Sequence, residues 1–218
     1  SNTKCAFLIM NRFRKMWRGT ALYTHSEKSG SEYELFNNKP MFRYNSYFGI
    51  NTVHYMDLIE RKGEESLPLV KIIPASLITM LAKKVIRSKN KKLVLNDWTQ
   101  KLINKIDTLK FLAYVGENGY PEIVPIIQCR AQDKQKLIFS FFAYKDELQQ
   151  IKSGVIVAIY VLSLSMESVL LRGVFSKVKY GALSIFGTVD IDWVYNSMIP
   201  KHGQIYPHHE VEAVRDFE

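Results

Sequence analysis

The sequence predicts a mostly β (α+β) chain: a compact, six-stranded antiparallel barrel with flanking helices, preceded by an N-terminal α/β extension of unknown fold. Three observations predict it. Between Leu109 and Val189, six segments rich in Val, Ile, Phe and Tyr follow one another with turn-like breaks and a single short helix, which is not a βαβ series. Asn118-Gly119 stands between the first two, and both residues tolerate the positive φ of a tight hairpin turn. The charge is also divided. Residues 1–100 hold 17 Lys/Arg and 8 Asp/Glu, and residues 101–218 hold 13 of each, so the net +9 belongs to the first half. That asymmetry marks two regions with separate jobs: a basic extension, 1–95, and a barrel domain with a C-terminal tail, 96–218.

Residues 1–70 show no clean periodicity, with short extended pieces at Thr20–His25 and Thr52–Met56 and an aromatic, polar stretch, Phe36–Tyr55, that is a lid candidate without an assigned mechanism. At Pro74 the pattern turns helical, because proline suits a first turn and Leu77, Ile78, Leu81, Val85 and Ile86 recur at near-helical spacing. The helix runs out in Lys83, Lys84, Arg87, Lys89, Lys91 and Lys92 with no acid between them. Lysines at a helix C-terminus followed by a solvated linker account for this run; the alternative is a surface for anionic lipid or nucleic acid. Asn96–Asp97 offers an N-cap, with Gln100 three residues after Asp97, to a helix over about 98–108.

The strands then follow at 109–115, 122–129, 136–142, 154–162, 167–178 and 183–189. Val169, Leu171 and Phe175 alternate onto one face and Arg172 onto the other, whereas VIVAIYVL is apolar throughout and should be buried on both faces. The second strand carries Pro121 and Pro125, which lack an N–H. One of its edges must therefore be a boundary, a bulge or a gap, either a plain protected edge or a slot beside the backbone. The one helix, in YKDELQQIKSG, has Gly154 as its stop. Ser140 at a strand end, Lys145 five residues on and the helix start there are the parts of a phosphate site.

AYVGENGYPEIVPIIQC, LIFSFFAYKDELQQIKSGVIVAIYV and VLLRGVF together resemble the flavin-binding split-barrel family that includes pyridoxamine 5′-phosphate oxidase, over roughly residues 98–200. Gly119-Tyr120-Pro121, Pro125–Gln128, Ser140, Lys145, Leu148, Val157-Ala158 and Gly173 take the family's positions. The resemblance implies a homodimer with flavin mononucleotide (FMN) at the subunit interface. Ser140 and Lys145 would hold the phosphate, and Pro125, Ile126, Ile127 and Gln128 would line the ring. Arg172 is a further candidate for phosphate, against a surface or interface role. Other members of the superfamily bind deazaflavin or haem, or have lost cofactor. The chain also departs from pyridoxamine 5′-phosphate oxidase itself: Ile126, Ile127 and Gln128 stand where that enzyme has an Arg and a Lys on the second strand, and Tyr144-Lys145 stands for an Arg-Lys pair. Its C-terminal substrate-binding Arg and His have no match, so pyridoxamine phosphate is not the expected substrate.

The remaining candidates are weaker. His202, His208 and His209 beside Glu210 match no zinc spacing and read as a polar tail, with no metal expected. Asp192–Pro207 reads as a tail packed on the barrel, the alternative being an arm that crosses to a second subunit. Cys5 and Cys129 make no disulfide framework, and a reducing, cytoplasmic location is the default, membrane-associated if a segment precedes Ser1. The sequence thus supports an FMN-dependent oxidoreductase with an unknown substrate and no assigned catalytic residue. The alternative is a cofactor-free barrel that dimerises while its basic part contacts membrane or nucleic acid.

Overall fold

Alternating apolar residues form strands where one face can be buried, and all six apolar segments do so. The computed structural model describes residues 2–39, 50–85, 93–165, 167–180, 184–196 and 203–207. It divides into two compact units, Ser1–Ser66 with Glu117–Glu122, and Leu67–Gly116 with Ile123–Glu218. In the first, β1 (Lys4–Met10), β2 (Lys15–Glu27) and β3 (Val53–Arg61) pair antiparallel in that order. β4 (Glu65–Ser66) lies against β2, and α1 (Ser31–Asn37) precedes β3. The two extended pieces expected from sequence fall in β2 and at the start of β3. The Arg18 guanidinium, buried in this sheet, is held by Glu65 at 2.5 Å. Half of the lid candidate, residues 40–49, lies outside the described residues.

The second unit opens with α2 (Leu69–Val85) and α3 (Asp97–Asn104), and α2 therefore groups with the barrel. Then come β5 (Leu109–Val115), β6 (Pro121–Pro125), β7 (Arg130–Ala131), β8 (Lys136–Ser140), α4 (Lys145–Gln150), β9 (Ile156–Leu162), β10 (Ser168–Tyr180), β11 (Ser184–Asn196) and β12 (Gly203–Tyr206). The sheet runs β6-β5-β9-β10-β11-β8-β7, with β12 on β11, and its recorded pairings are antiparallel. Its two end strands are joined by residues 126–129 alone. Four linking residues span at most about 17 Å, so the sheet curls back on itself and leaves a seam. Leu112, Val124, Phe139, Ile159, Leu171, Phe175 and Val189 from six strands fill one core inside it, and Leu102, Ile103 and Leu148 of α3 and α4 close it. A single antiparallel sheet around one core, open at a seam, is a split barrel.

Several boundaries differ from the sequence reading for physical reasons. β6 stops at Pro125 instead of continuing to Cys129. Proline cannot extend the ladder, and Cys129 N–H turns back to Ile126 O at 2.8 Å. The blocked edge is real, since β6 ends the sheet and pairs with β5 alone among the described residues. α2 begins at Leu69, five residues before Pro74, because Pro68 O accepts the first helical N–H groups, from Lys71 at 2.8 Å and Ile72 at 2.9 Å. Pro74 then sits inside the helix, where it removes one i→i−4 bond. β11 continues to Asn196, into the segment read as tail, and β12 returns along it. The register shift opposite Arg172/Gly173 makes Asp192 the extra residue. It moves the inward set from Val189 and Ile191 to Val194 and so breaks the alternation. β9 is not buried on both faces: Val157, Ile159 and Val161 point in, while Ile156 is 62% exposed and Tyr160 36% exposed.

α3 is capped by Asn96, not Asp97. The Asn96 side chain accepts from Thr99 N–H at 2.8 Å, and Gln100 Nε2 reaches Leu95 O. The helix ends at Asn104, four residues short of expectation, because Lys105 is extended. Replacing Asn96 by alanine is expected to cost about 1 kcal/mol, read as a lower midpoint in thermal unfolding.

Candidate functional site

Ser140 closes β8, and three neighbours fix it in place. Its N–H donates to Thr79 Oγ1 of α2 at 3.0 Å, and its C=O accepts from Gln128 Nε2 at 2.8 Å. Its hydroxyl oxygen accepts from Phe142 N–H at 3.1 Å, tightening the turn that follows. Phe141 N–H is held by Ile185 O of β11. Tyr144, in the left-handed region at φ 58°, then swings the chain into α4 and delivers Lys145 at its first position. A hydrogen-bonded hydroxyl and an ammonium are thereby set on the same wall.

That wall bounds a cavity of about 440 Å3 lined by Lys71, Ile78, Ser140, Phe141, Phe142, Lys145, Asp146 and Ile185. The size is within the range of small-ligand sites. Among the described residues two ammonium groups face one carboxylate, so this lining is net cationic, with aromatic and aliphatic walls. α4 has only six residues, and Asp146 and Glu147 occupy its first turn, so the side chains rather than the helix end supply the positive charge.

Of the residues expected from sequence, Ser140 and Lys145 come together, with Gln128 directly behind Ser140. Gln128 is fully buried, and its Oε1 has no hydrogen-bond partner among the described residues. Pro125 and Ile126 are buried, Ile126 within the barrel core, and neither they nor Ile127 line the cavity. Arg172 stands apart on β10, paired with Asp192 at 3.0 Å on the outer surface. Lys71 and Thr79 were missed because α2 was expected to start later and to belong with the first region. His202, His208 and His209, and Arg87, Lys89, Lys91 and Lys92, lie outside the described residues.

Lys110 was also missed, although it shares inward parity with Leu112 and Tyr114. It is 1% exposed and donates to the carbonyls of Ile127 at 3.1 Å, Lys105 at 3.3 Å and Thr108 at 3.4 Å, which pins the seam turn. Burial pulls its pKa from 10.5 down to about 8, and burial pushes the adjacent Cys129 thiol from 9.0 up to about 12. Below pH 8 the charged Lys110 costs stability. From pH 8 the unfolded chain holds more protons than the folded one, so stability rises with pH. Above pH 9 Cys129 acts in the opposite sense and cancels the gain. Stability should therefore rise by about 1 kcal/mol between pH 8 and 9. Urea midpoints at the two pH values check this, and Lys110→Met should remove that increment.

No protein-family model matches the chain, and no curated protein does. Solved structures match at low identity. HupZ of Group A Streptococcus is 16% identical with a TM-score of 0.43, covering 50% of this chain and 98% of that one. A candidate pyridoxamine 5′-phosphate oxidase from Lactobacillus delbrueckii is 17% identical with a TM-score of 0.37, covering 50% and 98%. A protein from Clostridium acetobutylicum related to general stress protein 26 of B. subtilis, of the pyridoxinephosphate oxidase family, is 12% identical with a TM-score of 0.39, covering 49% and 90%. These are similarities of fold. The strand order and the seam define the class, a split β-barrel protein, without them.

Proposed function

We propose that the barrel unit binds FMN, with the phosphate on Ser140, Lys145 and Lys71, and serves as a flavin-dependent oxidoreductase. The observation that carries this reading is that Ser140 and Lys145, paired from sequence spacing alone, line one net-cationic cavity to which α2 adds Lys71. The donor set fits a phosphate monoester: a hydroxyl and two ammonium groups against a single carboxylate. Phe142 and Ile185 offer apolar surface for a planar ring. Among the described residues the cavity lining contains no His, Cys, Met or Tyr to ligate a haem iron, which favours flavin over haem. A bound flavin would supply hydride or electron transfer, while the chain's own residues anchor, orient and exclude water.

A homodimer belongs to the same proposal. The outer sheet face around Phe111, Ile156, Tyr160 and Val174 is apolar and partly or largely exposed, and a second copy would cover it. The test is an absorption and fluorescence titration of the purified protein with FMN. Stoichiometric uptake with quenched flavin emission is expected. A colourless protein that leaves added FMN unperturbed contradicts the proposal.

A further inference from the structure

Ser140 sits where β8 runs out of neighbours on one side. β11 bonds β8 through the alternate residues, with Phe141 N–H on Ile185 O, so the N–H and C=O of Ser140 point to the opposite edge. β7 covers that edge at Leu137 and Ile138, opposite Ala131 and Arg130, and ends there. Continued by two residues, the same register would put the backbone of Gln128 across from Ser140. The chain has turned away by then, with Cys129 N–H on Ile126 O. Two side chains take the place of the missing strand. Gln128 Nε2 donates to Ser140 O at 2.8 Å, and Thr79 Oγ1 of α2 accepts from Ser140 N–H at 3.0 Å. Gln128 and Thr79 are fully buried and Ser140 is 4% exposed, so bulk water does not reach these bonds.

The Thr79 hydroxyl has its hydrogen already in use. It donates to Ala75 O one turn back at 2.7 Å, which leaves the oxygen lone pairs for Ser140 N–H. α2 is thereby bonded to the backbone of the residue whose hydroxyl lines the cavity. Lys71 and Ile78 line the same cavity from α2. They are seven residues apart, close to two full turns, so they share a helix face, and Ile78 is the neighbour of Thr79 in the chain. The seating of Thr79 on β8 therefore sets both the reach of Lys71 and the place of Ser140.

We propose that Thr79 is a positioning residue of the phosphate anchor: through Ser140 N–H it locks α2 to the end of β8, and so holds the Ser140 hydroxyl and the Lys71 ammonium at one spacing. This rests on the reading of the cavity as an FMN phosphate site. It goes beyond that reading by making selectivity for a phosphate-bearing ligand depend on a buried residue outside the cavity lining.

Fluorescence titrations of the whole chain with FMN and with riboflavin test it, in the parent, Thr79→Val and Thr79→Ser. Valine keeps nearly the same shape and removes the acceptor. It leaves Ser140 N–H buried and unpaired, so its thermal midpoint should fall whatever the function. The ratio of the two affinities is the readout that a purely structural role does not move. Thr79→Val should lose about tenfold in FMN affinity with riboflavin affinity unchanged. Thr79→Ser, which keeps the hydroxyl, should restore the parent's ratio. Hydrogen exchange of the parent covers the case of a valine variant that does not fold: FMN at about a hundred times its dissociation constant should slow the Thr79 and Ser140 amides at least about tenfold. Four outcomes overturn the proposal while leaving the FMN reading in place: a valine variant that keeps the parent's ratio; a valine variant that weakens both ligands equally; a serine variant that loses the ratio as valine does; and amides that exchange at one rate with and without FMN. A parent that does not prefer FMN to riboflavin overturns the FMN reading and this proposal with it.

Discussion

Replacing Phe175 by alanine is expected to destabilise the barrel unit by about 3–5 kcal/mol, and to lower its thermal midpoint by roughly 10 °C. Phe175 is fully buried on β10. Its ring lies 6.2 Å from that of Phe139 on β8 and 6.4 Å from that of Phe141, and those two are 6.3 Å apart, so three near-parallel rings form one cluster. Removing one leaves a hole bounded by the other two and loses their mutual packing. Under the proposed function the effect reaches the ligand, because Phe141 also lines the cavity. FMN affinity should fall together with stability. Scanning calorimetry with and without FMN checks both, and a shift of only one or two degrees would show that the cluster collapses to fill the space.

Replacing Lys71 and Lys145 together by alanine is expected to weaken FMN binding roughly a hundredfold while leaving the thermal midpoint of the ligand-free protein unchanged. Both side chains are exposed at the cavity wall, so truncation opens no core and strands no buried partner. Each charge-assisted contact to a phosphate is worth about 1–2 kcal/mol once solvent screening at an open site is allowed for. Among the described residues, removing both also leaves Asp146 as the one charged group lining the cavity, so the local field changes sign against the ligand. Ser140→Ala is the less clean variant, because the turn loses the acceptor for Phe142 N–H as well. Titration of the two variants separates the charge contribution from that of the turn.

What the sequence disclosed was what depends on near neighbours. β5 matches its expected range to the residue, since LKFLAYV is rich in apolar and aromatic residues and the turn behind it holds Gly119 at φ 76°. The Ser140–Lys145 pair was legible because five residues fix its geometry. Gly173 was legible as a pattern residue, and packing supplies the reason: a Cβ there would lie 2.3 Å from Asp190 O on the neighbouring strand. What was hidden depends on distant partners. Nothing local links Thr79 or Lys71 to Ser140, and only folding α2 onto β8 does so. The resemblance placed Pro125–Gln128 along a ring; that Pro125 ends the strand, that Ile126 lies in the core and that Gln128 Nε2 holds Ser140 O are features only the fold reveals. The Asp192 bulge concealed the length of β11, because a one-residue slip moves every later side chain to the other face.

The central claim is that a phosphate anchor built from Ser140, Lys145 and Lys71 holds a flavin. Parallel titrations of the purified protein with FMN and with riboflavin, which differ only in that phosphate, test it most directly. FMN should bind roughly a hundredfold or more tighter than riboflavin, and added salt should narrow the gap. Equal affinities for the two, or no uptake of either, would contradict the account.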